Sequence, residues 1–160
     1  MNNQKQCSKC KEVKELSEFH KHKSAKDGLT SYCKKCISNE TIKYNRTLKG
    51  KLLGLYHSQV KHSKKRNDSP PLYTREEFYN KFITDKDFIH KHNEWVKSNY
   101  NKKLAPSFDR IDDYKGYSFS NIKLVVWEEN NNRYTSDAKN GINIKSSKTV
   151  IATNIKTGEV

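Results

Sequence analysis

Apolar residues are scarce in this chain: 32% of its 160 residues are hydrophobic, against 31% that are charged. Such a composition excludes a large single core. It points to small units, which usually need a staple such as a metal ion or a disulfide to offset chain entropy. No run approaches 18 consecutive apolar residues, and there is neither a signal-peptide core near Met1 nor a lipidation motif, so association with a membrane is not expected. Acidic residues are also short, with 18 Asp and Glu facing 32 Lys and Arg for a net charge of +14. Clustered cations of this kind are repaid by a polyanion through counterion release, which puts nucleic acid, DNA first, ahead of other partners. No small-molecule substrate and no particular protein partner is indicated. The expectation is a soluble, cytoplasmic protein.

The charge is uneven. Residues 1–66 hold 17 of the Lys and Arg but only 5 of the Asp and Glu, whereas residues 67–160 are nearly balanced at 15 against 13. The two halves are therefore expected to do different work. The predicted fold is α+β: a small four-cysteine zinc-binding module over 1–45, a basic and amphipathic helical region over 46–100, a strand–loop–strand–helix segment over 101–138, and a linker with the start of a β-hairpin over 139–160.

The four cysteines stand as Cys7-Ser-Lys-Cys10 and Cys33-Lys-Lys-Cys36. Each CxxC turn lets two thiolates reach one tetrahedral ion, so two turns complete a four-thiolate shell with no open position for water. Zn²⁺ held this way is structural. Two disulfides would need an oxidising compartment of which the sequence carries no sign. His20 and His22 lie between the pairs and could replace a cysteine.

After the cysteines, Leu48, Leu52, Leu55 and Val60 recur at loosely helical spacing among Lys51, Lys61, Lys64, Lys65 and Arg66. This predicts a basic helix whose cations grip phosphates. Asn67-Asp-Ser-Pro-Pro71 breaks it. Thr74-Arg-Glu-Glu77 has the capping-box pattern and should open a helix carrying Phe78 and Phe82, with a second helix after Thr84-Asp85.

Chemistry is expected in the nearly neutral half. Asp109 ends one predicted strand, Asn121 opens the next, and Asn130 lies early in the helix that follows. A carboxylate and an amide oxygen so placed can meet at one hard cation such as Mg²⁺ or Mn²⁺. Asp and Asn are equally at home in turns and caps, so spacing alone leaves both readings open.

The stretch 105–133, with Pro-Ser-Phe-Asp-Arg-Ile-Asp, Lys-Gly-Tyr-Ser, Asn-Ile and Trp-Glu-Glu-Asn in order, resembles the ββα-metal motif of HNH endonucleases, in the variant of phage and homing-type enzymes. The resemblance implies a metal-dependent endonuclease hydrolysing phosphodiester bonds in duplex DNA, phage or mobile-element encoded. It makes Asp109 and Asn130 the ligands of the catalytic cation, with Asn131 the alternative to Asn130, and makes Asn121 the brace of the site's loop. The histidine by which the family activates water falls at Arg110, which stays protonated and cannot be a general base. Arg110 is expected instead to clamp the scissile phosphate, the base coming from Asp112, from His90 or His92, or from the metal alone. The cysteine segment is similar to the zinc-binding region of the recombination endonuclease VII family. That family's catalytic Asp-His cluster is missing between Cys10 and Cys33, so only its zinc staple carries over. A non-catalytic zinc-containing DNA- or RNA-binding protein and a zinc-mediated protein-interaction module are the rival functions.

Overall fold

The computed structural model describes residues 3–140, and the β-hairpin expected to begin near Thr149 lies outside the described residues. The described residues fall into two compact units, 3–47 and 48–140. Among the described residues no helix is long and apolar enough to cross a membrane.

The first unit is two antiparallel hairpins and a helix. β1 (Gln4–Gln6) pairs with β2 (Val13–Glu15), and after a 3-10 turn at Leu16–Glu18, β3 (Phe19–Lys21) pairs with β4 (Leu29–Cys33), which runs into α1 (Lys34–Arg46). The β1–β2 turn is tight because Lys11 takes a left-handed conformation at φ 63° and its N–H donates to the Cys7 carbonyl at 2.9 Å. Phe19 opposes Cys33 in the ladder. The core of the unit is Cys7, Cys33 and Phe19, with Leu29 and Cys36 against it. α1 buries none of its residues. Apart from cysteine, Phe19 is the one buried hydrophobic side chain among the described residues of this unit, far too little to offset the ordering of some forty residues.

The second unit has a real core. α2 (Leu48–Arg66) stops where Asn67 turns left-handed at φ 58°, and the Asp68 N–H then donates to the Ser63 carbonyl at 2.9 Å, closing the last turn ahead of two prolines. α3 (Arg75–Phe82) opens on the expected capping box: Thr74 Oγ1 accepts from the Glu77 N–H and Glu77 accepts from the Thr74 N–H. α4 (Lys86–Lys97) is capped by Asp85, whose carboxylate accepts from the Phe88 N–H at 2.7 Å. β5 (Pro106–Arg110) and β6 (Ile122–Val126) form an antiparallel pair in which Asp109 faces Lys123, and α5 (Trp127–Asn140) follows without a break. Leu52, Tyr73, Phe78, Phe82, Phe88, Phe108, Tyr117 and Ile122 make one cluster. Phe108 is its hub, with ring centroids 4.5 Å from Phe82 and 5.2 Å from Phe78. The predicted helical region and the strand–loop–strand–helix segment thus share one core, which holds the hairpin and α2 in fixed relation.

Candidate functional site

The first unit brings its four cysteines together. Cys7 and Cys10 come from the β1–β2 turn, Cys33 from the end of β4 and Cys36 from the first turn of α1, and their sulfurs all lie within 4.8 Å of one another. The Cys7 and Cys36 Sγ atoms are 3.9 Å apart and all four thiols are free. That spacing is too long for a disulfide, and it is close to the roughly 3.8 Å edge of a tetrahedron with zinc–sulfur bonds of about 2.3 Å. Burial alone would push the Cys7 thiol up, but N–H groups of Cys33, Cys10 and Lys9 aimed at its sulfur bring it down to about 6. Cys36 is pushed up to about 12 by burial and by the neighbouring cysteines. Four thiolates therefore cannot share this space unaided, and a divalent cation is what lets all four ionise. The cluster could hold a metal such as zinc. His20 and His22 stand outside it.

In the second unit a cavity of about 560 Å³ opens between α2, the start of α5 and β5. Asp109, Arg110, Asn130 and Asn131 line it, together with Lys51, His62 and Arg66 from α2 and with Asp113, Tyr117 and Arg133. Asp109 is 9% exposed. Its Oδ2 accepts from Arg133 Nη1 at 2.5 Å, and among the described residues its Oδ1 accepts no hydrogen bond. Asn130 donates from Nδ2 to Ser107 Oγ at 3.1 Å and to the Phe108 carbonyl, an arrangement that ties α5 to β5 and leaves its Oδ1 without a donor among the described residues. One carboxylate oxygen and one amide oxygen thus remain as unused acceptors on the walls of one cavity.

Asn121 is buried behind the loop between β5 and β6. Its Oδ1 accepts from the Asp112 N–H at 2.9 Å, and its Nδ2 donates to the carbonyls of Asp112 at 3.0 Å and Gly116 at 2.9 Å. A single amide therefore satisfies three backbone groups of a loop with no ladder of its own.

Arg110 lines the cavity, but its donors are turned onto the loop. Its guanidinium donates to the carbonyls of Asp113 at 2.6 Å and Lys115 at 3.1 Å, pairs with the Asp113 carboxylate at 3.3 Å, and lies 5.6 Å from the Tyr117 ring centroid. At 9% exposure it is a strut of the loop. Arg133 bridges Asp109 and Asp113 and also donates to the Arg110 carbonyl. Arg66, Asp68, Arg110, Asp113, Arg133 and Asp109 form an alternating chain of charges along one wall. Burial holds the Asp113 carboxyl above its ordinary value even though Arg110 and Arg133 pull it down.

The bases proposed from sequence lie off the cavity. Asp112 accepts from the Tyr114 N–H and pairs with Lys115, and these two interactions hold its carboxyl below the usual range. His90 is exposed on α4, and His92 is buried with its ring 5.8 Å from Trp95. His62, which the sequence did not single out, does line the cavity. Arg133 was legible in principle, because position i+3 from Asn130 shares its helix face.

The cations of α2 divide. Lys61, Lys64 and Lys65 are exposed, whereas Arg66 bonds Asp68 at 2.9 Å and Lys51 lies over the Trp95 ring, 4.8 Å from its centroid. Burial pulls the Lys51 ammonium down from 10.5 to about 8. The charged form is the disfavoured one in the fold, so its cost is fully present below about pH 8 and is relieved as pH rises towards 10.5. Stability measured by urea midpoint should therefore gain between pH 7.5 and 9.5 relative to a Lys51→Met variant. Parallel midpoints in the two proteins would contradict this placement.

No protein-family model matches the chain, and no curated protein or solved structure matches it significantly.

Proposed function

We propose that the chain is a divalent-cation-dependent DNA endonuclease of the HNH (ββα-metal) type, with a zinc-stapled N-terminal module. The observation that carries this reading is the pair of unused oxygens, Asp109 Oδ1 and Asn130 Oδ1, on one basic cavity beside a loop that Asn121 holds in place. Hard oxygen donors of this kind suit Mg²⁺ or Mn²⁺, which keep several waters and need few protein ligands. Such an ion supplies Lewis acidity toward a phosphate oxygen and neutralises charge on the leaving oxygen.

The protein's own side chains do the rest. Arg110 and Asn121 keep the loop from collapsing into the cavity. Lys51 and Arg66 on the facing helix offer positive charge to a phosphodiester entering it, and the exposed Lys61, Lys64 and Lys65 grip flanking phosphates. Lys103 is paired with Glu128 at 2.9 Å at the start of α5, and Lys102 lies over the Trp127 ring, 4.1 Å from its centroid, so this rim also carries positive charge.

The second reading, a zinc-containing nucleic-acid-binding protein without activity, is favoured by one contact. The Arg133–Asp109 pair already neutralises the carboxylate that a cation would need. Incubating supercoiled plasmid with the zinc-loaded protein and Mg²⁺ or Mn²⁺ separates the two. Wild type should nick or cut, and Asp109→Ala and Asn130→Ala should lose roughly 10²-fold or more in rate, the loss expected when a group stabilising transition-state charge is removed. A clean wild type that leaves several DNAs intact would overturn the enzyme reading. Equal cleavage by both variants would overturn the site.

A further inference from the structure

We propose that His62, projecting from α2 across the cavity from the β5–β6 hairpin, is the general base that takes a proton from the attacking water. This rests on the endonuclease reading above.

The argument begins from elimination by position. Where the HNH resemblance leads one to expect a base stands Arg110, which cannot accept a proton and whose donors are engaged by Asp113 and Lys115. Asp112 is tied to Tyr114 and Lys115 outside the cavity, and neither His90 nor His92 lines it. Among the described residues His62 is the one imidazole on the cavity wall, which it shares with Asp109, Asn130 and Asn131.

Its surroundings suit the role. Lys61, Lys65 and Arg66 neighbour it on α2, Arg110 approaches from β5, and the cavity adds Lys51, Arg133 and Tyr117, against the carboxylates of Asp109 and Asp113, each already paired with an arginine. His62 is solvent-exposed on α2; the desolvation it still undergoes beside the cavity and these cations hold the imidazole below its ordinary 6.5, which favours the neutral form with a lone pair to offer. A base on a rigid helix facing the hairpin needs no residue at the family's histidine position. This also explains why an arginine is tolerated there.

In the step itself, an imidazole nitrogen of His62 takes one proton as the water oxygen bonds to phosphorus. The bond from phosphorus to the leaving sugar oxygen breaks with its electron pair, and that oxygen is protonated by bulk water. His62 then returns its proton to solvent, so charge and atoms balance.

The test compares full-length wild type, His62→Ala, His62→Gln and Asp109→Ala on supercoiled plasmid across pH 5 to 9. His62→Ala should lose about 10²- to 10⁴-fold in kcat with KM for DNA little changed. The acid limb of the wild-type profile, set below the ordinary imidazole value, should vanish, and added imidazole should restore part of the rate. Independently of turnover, Mn²⁺ should broaden the His62 ring resonances well before those of His90, and this broadening should be lost in Asp109→Ala. Cleavage by wild type with an unchanged acid limb in both His62 variants would overturn the proposal and leave the endonuclease reading standing. If wild type does not cleave at all, both fall together. Broadening of His62 no stronger than that of His90 would overturn the proposal whatever the cleavage result.

Discussion

Stripping metal from the protein with a strong chelator at neutral pH is expected to unfold residues 3–47 while residues 48–140 stay folded. The first unit buries Cys7 and Cys33 completely and Phe19 to 3% exposure, so its core is the metal-ligand set with one phenylalanine beside it. Without an ion, the sulfurs within 4.8 Å of one another cannot all ionise, and the N–H groups aimed at Cys7 lose a fully charged acceptor. Structural Zn²⁺ in small modules contributes an apparent 10–16 kcal/mol, on the order of or above the whole stability of an ordinary domain. Amide resonances of the first unit should therefore collapse to unfolded positions on chelation and return when Zn²⁺ is added back, and Cys33→Ser should mimic the chelated state. The aromatic cluster around Phe78 and Phe108 depends on no metal, and its amides should be unmoved. A first unit that keeps its dispersed spectrum in chelator would refute the staple.

Replacing Arg133 with glutamine should lower stability without metal and raise affinity for a divalent cation. Arg133 Nη1 bonds Asp109 at 2.5 Å, its Nη2 bonds Asp113 at 3.0 Å, and both carboxylates are largely buried. Removing one partner of a buried network leaves charge uncompensated and costs roughly 3 kcal/mol. The same loss exposes Asp109 Oδ2, so a cation would meet two carboxylate oxygens instead of one oxygen beside a fixed positive charge. Thermal melts of Arg133→Gln should show a Tm several degrees below wild type without Mn²⁺, and a larger rise than wild type when Mn²⁺ is added. Equal Mn²⁺ shifts in the two proteins would mean that Asp109 is not a ligand. Arg133 has no such bearing on the first unit, whose chelator response should be unchanged.

Much of this molecule is written locally. Each CxxC is a turn whose geometry needs only its own residues, so the sulfur cluster was legible from spacing. The cap at Thr74, the cap at Asp85 and the break at Asn67 to Pro71 satisfy backbone groups within three to five positions. Helix α1 was not expected from the sequence: it buries no residue and shows only a half-buried face at Cys36, Ile37 and Glu40, inside the segment read as the cysteine module. The helix after β6 begins at Trp127, whose N–H donates to the Ala105 carbonyl at 2.8 Å across the hairpin.

The cavity is a different kind of object. Asp109, Asn121 and Asn130 are adjacent through one hairpin and its helix, and their order along the chain sufficed to group them. The HNH resemblance pointed Arg110 at a phosphate; only packing shows that its donors are turned onto the Asp113 and Lys115 carbonyls of the loop. Residue identity likewise nominated His90 and His92 and passed over His62. The helix carrying His62 is brought against the hairpin by Leu52 joining Phe78, Phe108 and Ile122 in a core some seventy residues of sequence across. By itself, then, the sequence determined the turns, the caps, the cysteine set and the composition of the hairpin, since each is stabilised by interactions among near neighbours. Which side chains share the cavity, which cations are bound and which are exposed, and where a proton could go were decided by the aromatic core, because long-range burial chooses faces that no local spacing encodes.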